Sequence, residues 1–206
     1  MRGVLWCNGG SPPGSVVEAV LRGGAPIFGV DGGADKAREY GANVESVLGD
    51  LDSVDRSQWE GRMHELPEQS SSDLTKSIEH LVGLGFDEID VLGIGGGSPD
   101  HLLGAWASLA EAPPNCVLRL HHGNRVSHRV SPDSGELVRI VPAGQEFSVF
   151  ALEACDVSIS GAKWQVDREE MVLSTRGLHN QGTGEEVRIS ADGVLVVIFP
   201  VDGYSG

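Results

Sequence analysis

The stretch Val44-Glu45-Ser46-Val47-Leu48-Gly49-Asp50-Leu51-Asp52-Ser53 runs from an apolar segment straight into two carboxylates two residues apart. A short apolar run bounded by turn residues reads as a buried strand, Val44–Leu48. In open α/β sheets, ligands bind outside the carboxyl ends of strands. Asp50 and Asp52 therefore fall where a ligand would sit. Two carboxylates there suit one hard cation, since Mg²⁺ takes one or two carboxylates together with phosphate oxygens. Turn chemistry is the competing reading, with Asp52 or Ser53 capping a short helix through Gln58.

The same strand–turn–helix junction recurs on both sides. Upstream, Pro26–Val30 is a buried strand that ends in Asp31-Gly32-Gly33-Ala34, followed by a short helix to Tyr40 and a stop at Gly41. Paired glycines let a backbone come close to a ligand, and a helix start faces anions. Before that, Gly3–Cys7 is a strand, Asn8–Gly14 a Gly/Pro loop, and Val16, Val17, Val20 and Leu21 lie at helical spacing. Downstream, Met63–Leu66 is a further strand. Leu74, Ile78, Leu81 and Val82 then make one helical stripe over Asp73–Leu84, capped by Ser71 or Ser72 and ended by Gly85. Asp73 opens that helix and could reach the same metal as Asp50 and Asp52. Glu88–Leu92 is the next strand. It leads into Gly95-Gly96-Gly97-Ser98-Pro99-Asp100-His101 and a helix over Asp100–Ala110. Glycine amides there could cradle phosphates. Asp100 beside phosphate calls for a cation between them, or else serves the first helical turn.

Strands alternating with helices imply a parallel sheet covered on both faces, a Rossmann-like α/β domain over residues 1–125. From Cys116 the pattern becomes a run of short strands, Val117–His121, Leu137–Val141, Phe147–Leu152, Val157–Gly161, Glu186–Ser190 and Val194–Phe199. Ala191-Asp192-Gly193 gives a hairpin signal between the last two. This half reads as an all-β sandwich over residues 126–206.

Composition narrows the function classes. The 206 residues carry a net charge of −15, which disfavours nucleic acid and anionic membrane surfaces as partners. An acidic field draws in divalent metal and cationic ligands. Cys7, Cys116 and Cys155 are odd in number and far apart, so neither a disulfide framework nor a zinc site is expected, and a reducing cytoplasm fits. The short apolar run at the start is too brief for a signal peptide. No stretch reaches the roughly 20 apolar residues of a membrane span.

The ordered set Asp31-Gly32-Gly33-Ala34, Gly49-Asp50-Leu51-Asp52-Ser53, Gln69 through Asp73-Leu74, and Gly96-Gly97-Ser98-Pro99-Asp100-His101 resembles the thiamin pyrophosphokinase family. Gly161-Ala162-Lys163-Trp164 resembles that family's Gly-Leu-Lys-Trp/Tyr segment, and His179-Asn180 falls at its Ser-Asn. The resemblance implies transfer of pyrophosphate from MgATP to the hydroxyl of thiamin, in a homodimer with active sites between subunits. It implies that Asp50, Asp52 and Asp73 hold Mg²⁺ and ATP phosphates, with Gln69 and Asp100 beside the reacting groups. It further implies that Asp31, Gly32, Gly33, Ser72, Gly96, Gly97 and Ser98 contact the nucleotide, and that Trp164, His179 and Asn180 border the thiamin pocket. Three positions depart from the family's usual residues: Ser70 for Asp, Ser98 for Arg and His179 for Ser. A pyrophosphokinase for another heterocyclic alcohol, such as a pterin, and a binding protein on the same scaffold are the other readings of these residues.

Overall fold

The computed structural model describes residues 1–201, so the last five positions of the expected segment 126–206 lie outside the described residues. The chain divides into two units, Met1–Asn124 and the remainder from Arg125.

The first unit runs β1 (Arg2–Trp6), α1 (Gly14–Leu21), β2 (Ile27–Val30), α2 (Gly33–Glu39), β3 (Val44–Gly49), β4 (Met63–Glu65), α3 (Asp73–Gly83), β5 (Glu88–Leu92), α4 (Pro99–Glu111) and β6 (Val117–His122). Its strands lie in the order β6-β5-β1-β2-β3-β4, and every neighbouring pair is parallel. The chain moves outward from β1 to β4, then returns to the other side of β1. The order therefore reverses between β1 and β5, and a crevice opens at such a point. Strands buried on both faces carry continuous apolar runs, and β1 and β2 are buried almost throughout. Val4, Trp6, Val17, Val20, Ala34 and Ala37 form one core against α1 and α2. The apolar stripe of α3 is sequestered as expected, with Ile78 and Leu81 fully buried. Ser72 caps this helix, its Oγ accepting the Thr75 N–H at 3.2 Å.

The second unit contains β7 (Arg125–Val130), β8 (Leu137–Ile140), β9 (Glu146–Ala151), β10 (Cys155–Ser160), β11 (Val166–Met171), β12 (Asn180–Gln181), β13 (Glu186–Ala191) and β14 (Leu195–Pro200). Its strands pair antiparallel in two groups, β12-β9-β14-β7 and β11-β10-β13-β8. Alternate residues of both groups, among them Phe147, Val149, Val157, Ile189, Val197 and Phe199, meet in one core.

Two expectations from the sequence are corrected. Val117–His122 does not begin the antiparallel half. It pairs parallel with β5, because an apolar strand pattern says nothing about which neighbour it joins. Ala191-Asp192-Gly193 does not close a hairpin. β13 pairs with β10 and β8, whereas β14 pairs with β7 and β9, so this turn carries the chain from one sheet to the other.

Candidate active site

Asp31 follows β2, Asp50 follows β3 and Asp73 opens α3. One carboxylate oxygen from each lies within 4.8 Å of the other two. The local backbone brings this about. Asp31 sits in the left-handed region at φ 46°, where non-glycine residues are uncommon and often functional. Its N–H donates to Leu48 O at 2.9 Å, and its Oδ1 accepts the Leu51 N–H at 2.9 Å. Gly49 makes room for it. The Asp31 carboxylate occupies the place a Cβ on Gly49 would take, and Gly49 has φ 138°. Asp50 Oδ1 accepts the Asp52 N–H at 3.2 Å. Asp73 is paired with Lys76 at 2.6 Å, whose ammonium also donates to Leu66 O at 2.8 Å and Glu68 O at 2.9 Å.

The electrostatics of the cluster suit a cation. Burial pushes the Asp31 carboxyl up to about 6. The Leu51 N–H opposes that rise, and the charges of Asp73, Asp50 and Asp52 add to it. Burial and Asp31 together push the adjacent Cys7 thiol up to about 12, so it is no nucleophile at neutral pH. Three crowded carboxylates of hard oxygen, one of them resisting ionisation, fit a hard divalent ion such as Mg²⁺.

Beside this cluster lies a cavity of about 810 Å³ bordered by Asp31, Asp52, Ser72, Asp73, Asp100 and two glycine loops, Asn8–Gly10 and Gly93–Gly97. Backbone bonds lace the loops together across the β1/β5 crevice. Cys7 N donates to Leu92 O at 2.9 Å, Gly9 N to Gly93 O at 2.6 Å and Gly95 N to Gly10 O at 2.9 Å, while Gly10 N donates to Gly95 O. Those amides are thereby taken. Gly96 and Gly97 have no backbone partner among the described residues and remain as the loop donors for an anion.

The expected residues are not all at this cavity. Gly96, Gly97, Ser72, Asp31, Asp52, Asp73 and Asp100 border it, and Asp50 joins the metal-type cluster without lining the cavity. Asp52 is exposed and outside that cluster, whereas Asp31, expected only as a nucleotide contact, is inside it. Gly32 and Gly33 serve packing. Gly32 N donates to Ser53 Oγ at 3.2 Å, and Gly33 abuts the Trp6 carbonyl so closely that no side chain fits. The capping of a helix by Asp52 or Ser53 does not occur. Asp55 caps the 3₁₀ turn Arg56–Gln58 instead. Ser98 spends its hydroxyl on Asp100, which also accepts the His101 N–H at 2.8 Å. Both bonds hold the Asp100 carboxyl below its usual range. Gln69 is exposed, bonded to Pro67 O at 3.4 Å, and away from the cavity wall. Sequence reasoning missed Asn8, Gly9, Gly10, Lys36 and His101 as cavity residues. Asn8-Gly9-Gly10 after β1 repeats the strand–glycine signature of the other junctions and could have been found by it.

The second unit has a smaller cavity of about 400 Å³, bordered by Trp164, Met171, Arg176, Leu178 and Asn180. Trp164 is 53% exposed, with the Lys163 ammonium 4.5 Å from its ring centroid. Asn180 is buried, and its side chain clamps the Trp164 backbone. Oδ1 accepts the Trp164 N–H at 3.1 Å, and Nδ2 donates to Trp164 O at 2.7 Å. Its amide is committed to placing Trp164. His179 is exposed, lies at φ 57° and is not on the cavity wall.

Residues 19–118 match the family model of the thiamin pyrophosphokinase catalytic domain. No curated protein matches the chain. Among solved structures, a thiamine pyrophosphokinase from Bacillus subtilis superposes with a TM-score of 0.77 at 21% identity, covering 98% of this chain and all of that one. The yeast enzyme gives 0.76 at 15% identity, covering 97% of this chain and 86% of its own. One from Geobacillus thermodenitrificans gives 0.74 at 19%, covering 98% and 99%. At these identities the superpositions speak for the fold, a β-rich mixed architecture with few helices. The matched segment contains Asp31, Asp50, Asp73 and most of the cavity wall, so the part of the chain that builds the site is similar to the thiamin pyrophosphokinase catalytic domain.

Proposed function

We propose that the chain is a thiamin diphosphokinase that transfers the terminal two phosphoryl groups of ATP to the hydroxyl of thiamin, releasing AMP. The observation that carries this reading is the meeting of Asp31, Asp50 and Asp73 within 4.8 Å, beside a glycine-walled cavity, inside the segment that matches the catalytic domain. In the reaction the thiamin oxygen bonds to the β-phosphorus, the bond from that phosphorus to the α,β-bridging oxygen breaks, and AMP carries away the electron pair.

The chain's own residues divide this work. Asp31, Asp50 and Asp73 would hold Mg²⁺, which when bound neutralises phosphate charge. Asp52, exposed on the same wall, remains for the nucleotide side of the site and for accepting the hydroxyl proton. Gly96 and Gly97 offer open amides to phosphate oxygens. Lys76 fixes Asp73, and the Leu51 N–H fixes Asp31, so both carboxylates are placed before ligand arrives. We read the parallel sheet and its reversal between β1 and β5 as a Rossmann-like nucleotide frame. Trp164, held by Asn180, supplies an exposed aromatic face for the organic substrate. The family resemblance further supports a cytoplasmic homodimer that completes each site from two subunits. Among the described residues no helix is long and apolar enough to cross a membrane.

The test is a thermal-shift screen of thiamin and a hydroxymethyl pterin, each with and without MgATP, followed by assay of AMP release. Stabilisation and AMP release with thiamin alone support the reading. Release only with the pterin transfers the assignment to that alcohol. Binding of thiamin without release makes the chain a binding protein.

A further inference from the structure

Lys36 lies on the wall of the acidic cavity, where the sequence offered no reason to place a cation. It projects from α2, and its ammonium donates to Asn8 O and to Gly9 O, the latter at 3.1 Å. An ammonium has three N–H donors, so one remains uncommitted. Among the described residues no carboxylate lies within ion-pairing distance of Lys36, in contrast to Lys76, which is neutralised by Asp73. The charge of Lys36 is thus uncompensated in a cavity that also displays Asp31, Asp52, Asp73 and Asp100.

A nucleoside triphosphate brings about four negative charges, and one divalent ion offsets only two of them. The three clustered carboxylates are matched to that ion and add no positive charge. The amides of Gly9, Gly10 and Gly95 are spent on lacing the loops, and Ser98 has given its hydroxyl to Asp100. Among the described residues that line the cavity, Lys36 is the one ammonium or guanidinium.

We propose that Lys36 is a phosphate-binding residue of this site, its third N–H directed to a phosphate oxygen while the other two hold the Asn8–Gly10 loop in place. The inference rests on the nucleotide reading of the cavity and deepens it. It also assigns the loop after β1 a role, as the platform on which the ammonium is aimed.

The test compares wild type, Lys36→Met and Lys36→Arg by calorimetric titration with MgATP and with magnesium tripolyphosphate, alongside ligand-free melting temperatures. Lys36→Met is expected to weaken both ligands by about tenfold or more, the scale of a charge-assisted contact, with Lys36→Arg close to wild type in affinity and in melting temperature. Unchanged affinity in Lys36→Met overturns the proposal. Weakened binding in both variants with a lowered melting temperature also overturns it, because Lys36 would then only brace the loop. Failure of wild type itself to bind either ligand would be the separate failure of the nucleotide reading.

Discussion

Replacing Asp31 with Asn should stabilise the metal-free protein while disabling it. The Asp31 carboxyl is displaced upward from 3.8 to about 6, which is about two units, or about 3 kcal/mol if fully expressed. One side of the group faces an open cavity, so solvent screening reduces this to about 1–2 kcal/mol. The sign follows from linkage. A carboxyl whose pKa is raised on folding favours the folded state below its unfolded value, near 3.8, and that contribution is lost as pH climbs through about 6. Asn keeps an oxygen for the Leu51 N–H and tolerates the left-handed backbone at φ 46°. At pH 7.5 without divalent ion, Asp31→Asn should therefore melt about 2–8 °C above wild type, taking about 2–4 °C per kcal/mol for a chain of this size. The gap should shrink to about half at pH 5 and nearly close at pH 4. Added Mg²⁺ should stabilise wild type and leave the variant nearly unmoved. The assay is a melting series over pH in chelator and in Mg²⁺. A variant less stable than wild type at pH 7.5 in chelator, or a gap equal at pH 4 and 7.5, refutes the reasoning.

The other carboxylates divide by role: Asp50→Asn should lower kcat at least about a hundredfold and weaken the Mg²⁺ response, whereas Asp52→Asn, outside the three-carboxylate cluster, should lower kcat about a hundredfold through the hydroxyl proton and leave the Mg²⁺ response intact, as steady-state kinetics over Mg²⁺ concentration would check. Gly49→Ala should force Asp31 out of place, lowering both melting temperature and the Mg²⁺ response, because a Cβ would enter the space of its carboxylate. Trp164→Ala should fold normally, since the ring is 53% exposed, and should raise KM for the organic substrate, as read from initial rates; an unchanged KM would remove Trp164 from the pocket.

Much of the first unit was legible because strand ends, glycines and caps leave local marks. Ser72, the stripe of α3 and the placement of Asp50 and Asp73 at one edge of the sheet all followed from spacing. The three-carboxylate cluster was legible only in part. Asp31 enters it through a left-handed backbone and the empty place at Gly49, and neither is a property of residue type alone. The glycines show the opposite limit. They mark junctions, yet whether an amide meets a ligand or another loop depends on pairing between segments some 85 residues apart, as with Gly9 and Gly93. Sheet membership failed for a related reason. Val117–His122 and the turn at Ala191–Gly193 have ordinary strand and turn sequences, and long-range register alone decides their neighbours. Asn180, expected near the organic substrate, borders the second unit's cavity and also holds the Trp164 backbone, a pairing that no sequence pattern announces.

The most direct test of the central claim is to follow AMP and thiamin diphosphate together by chromatography, with MgATP and thiamin as the only substrates. The account predicts equal amounts of the two products, formed only when Mg²⁺ is present and at least about a hundredfold more slowly with Asp50→Asn. ADP with thiamin monophosphate, or no product from a protein that binds both substrates, would contradict it.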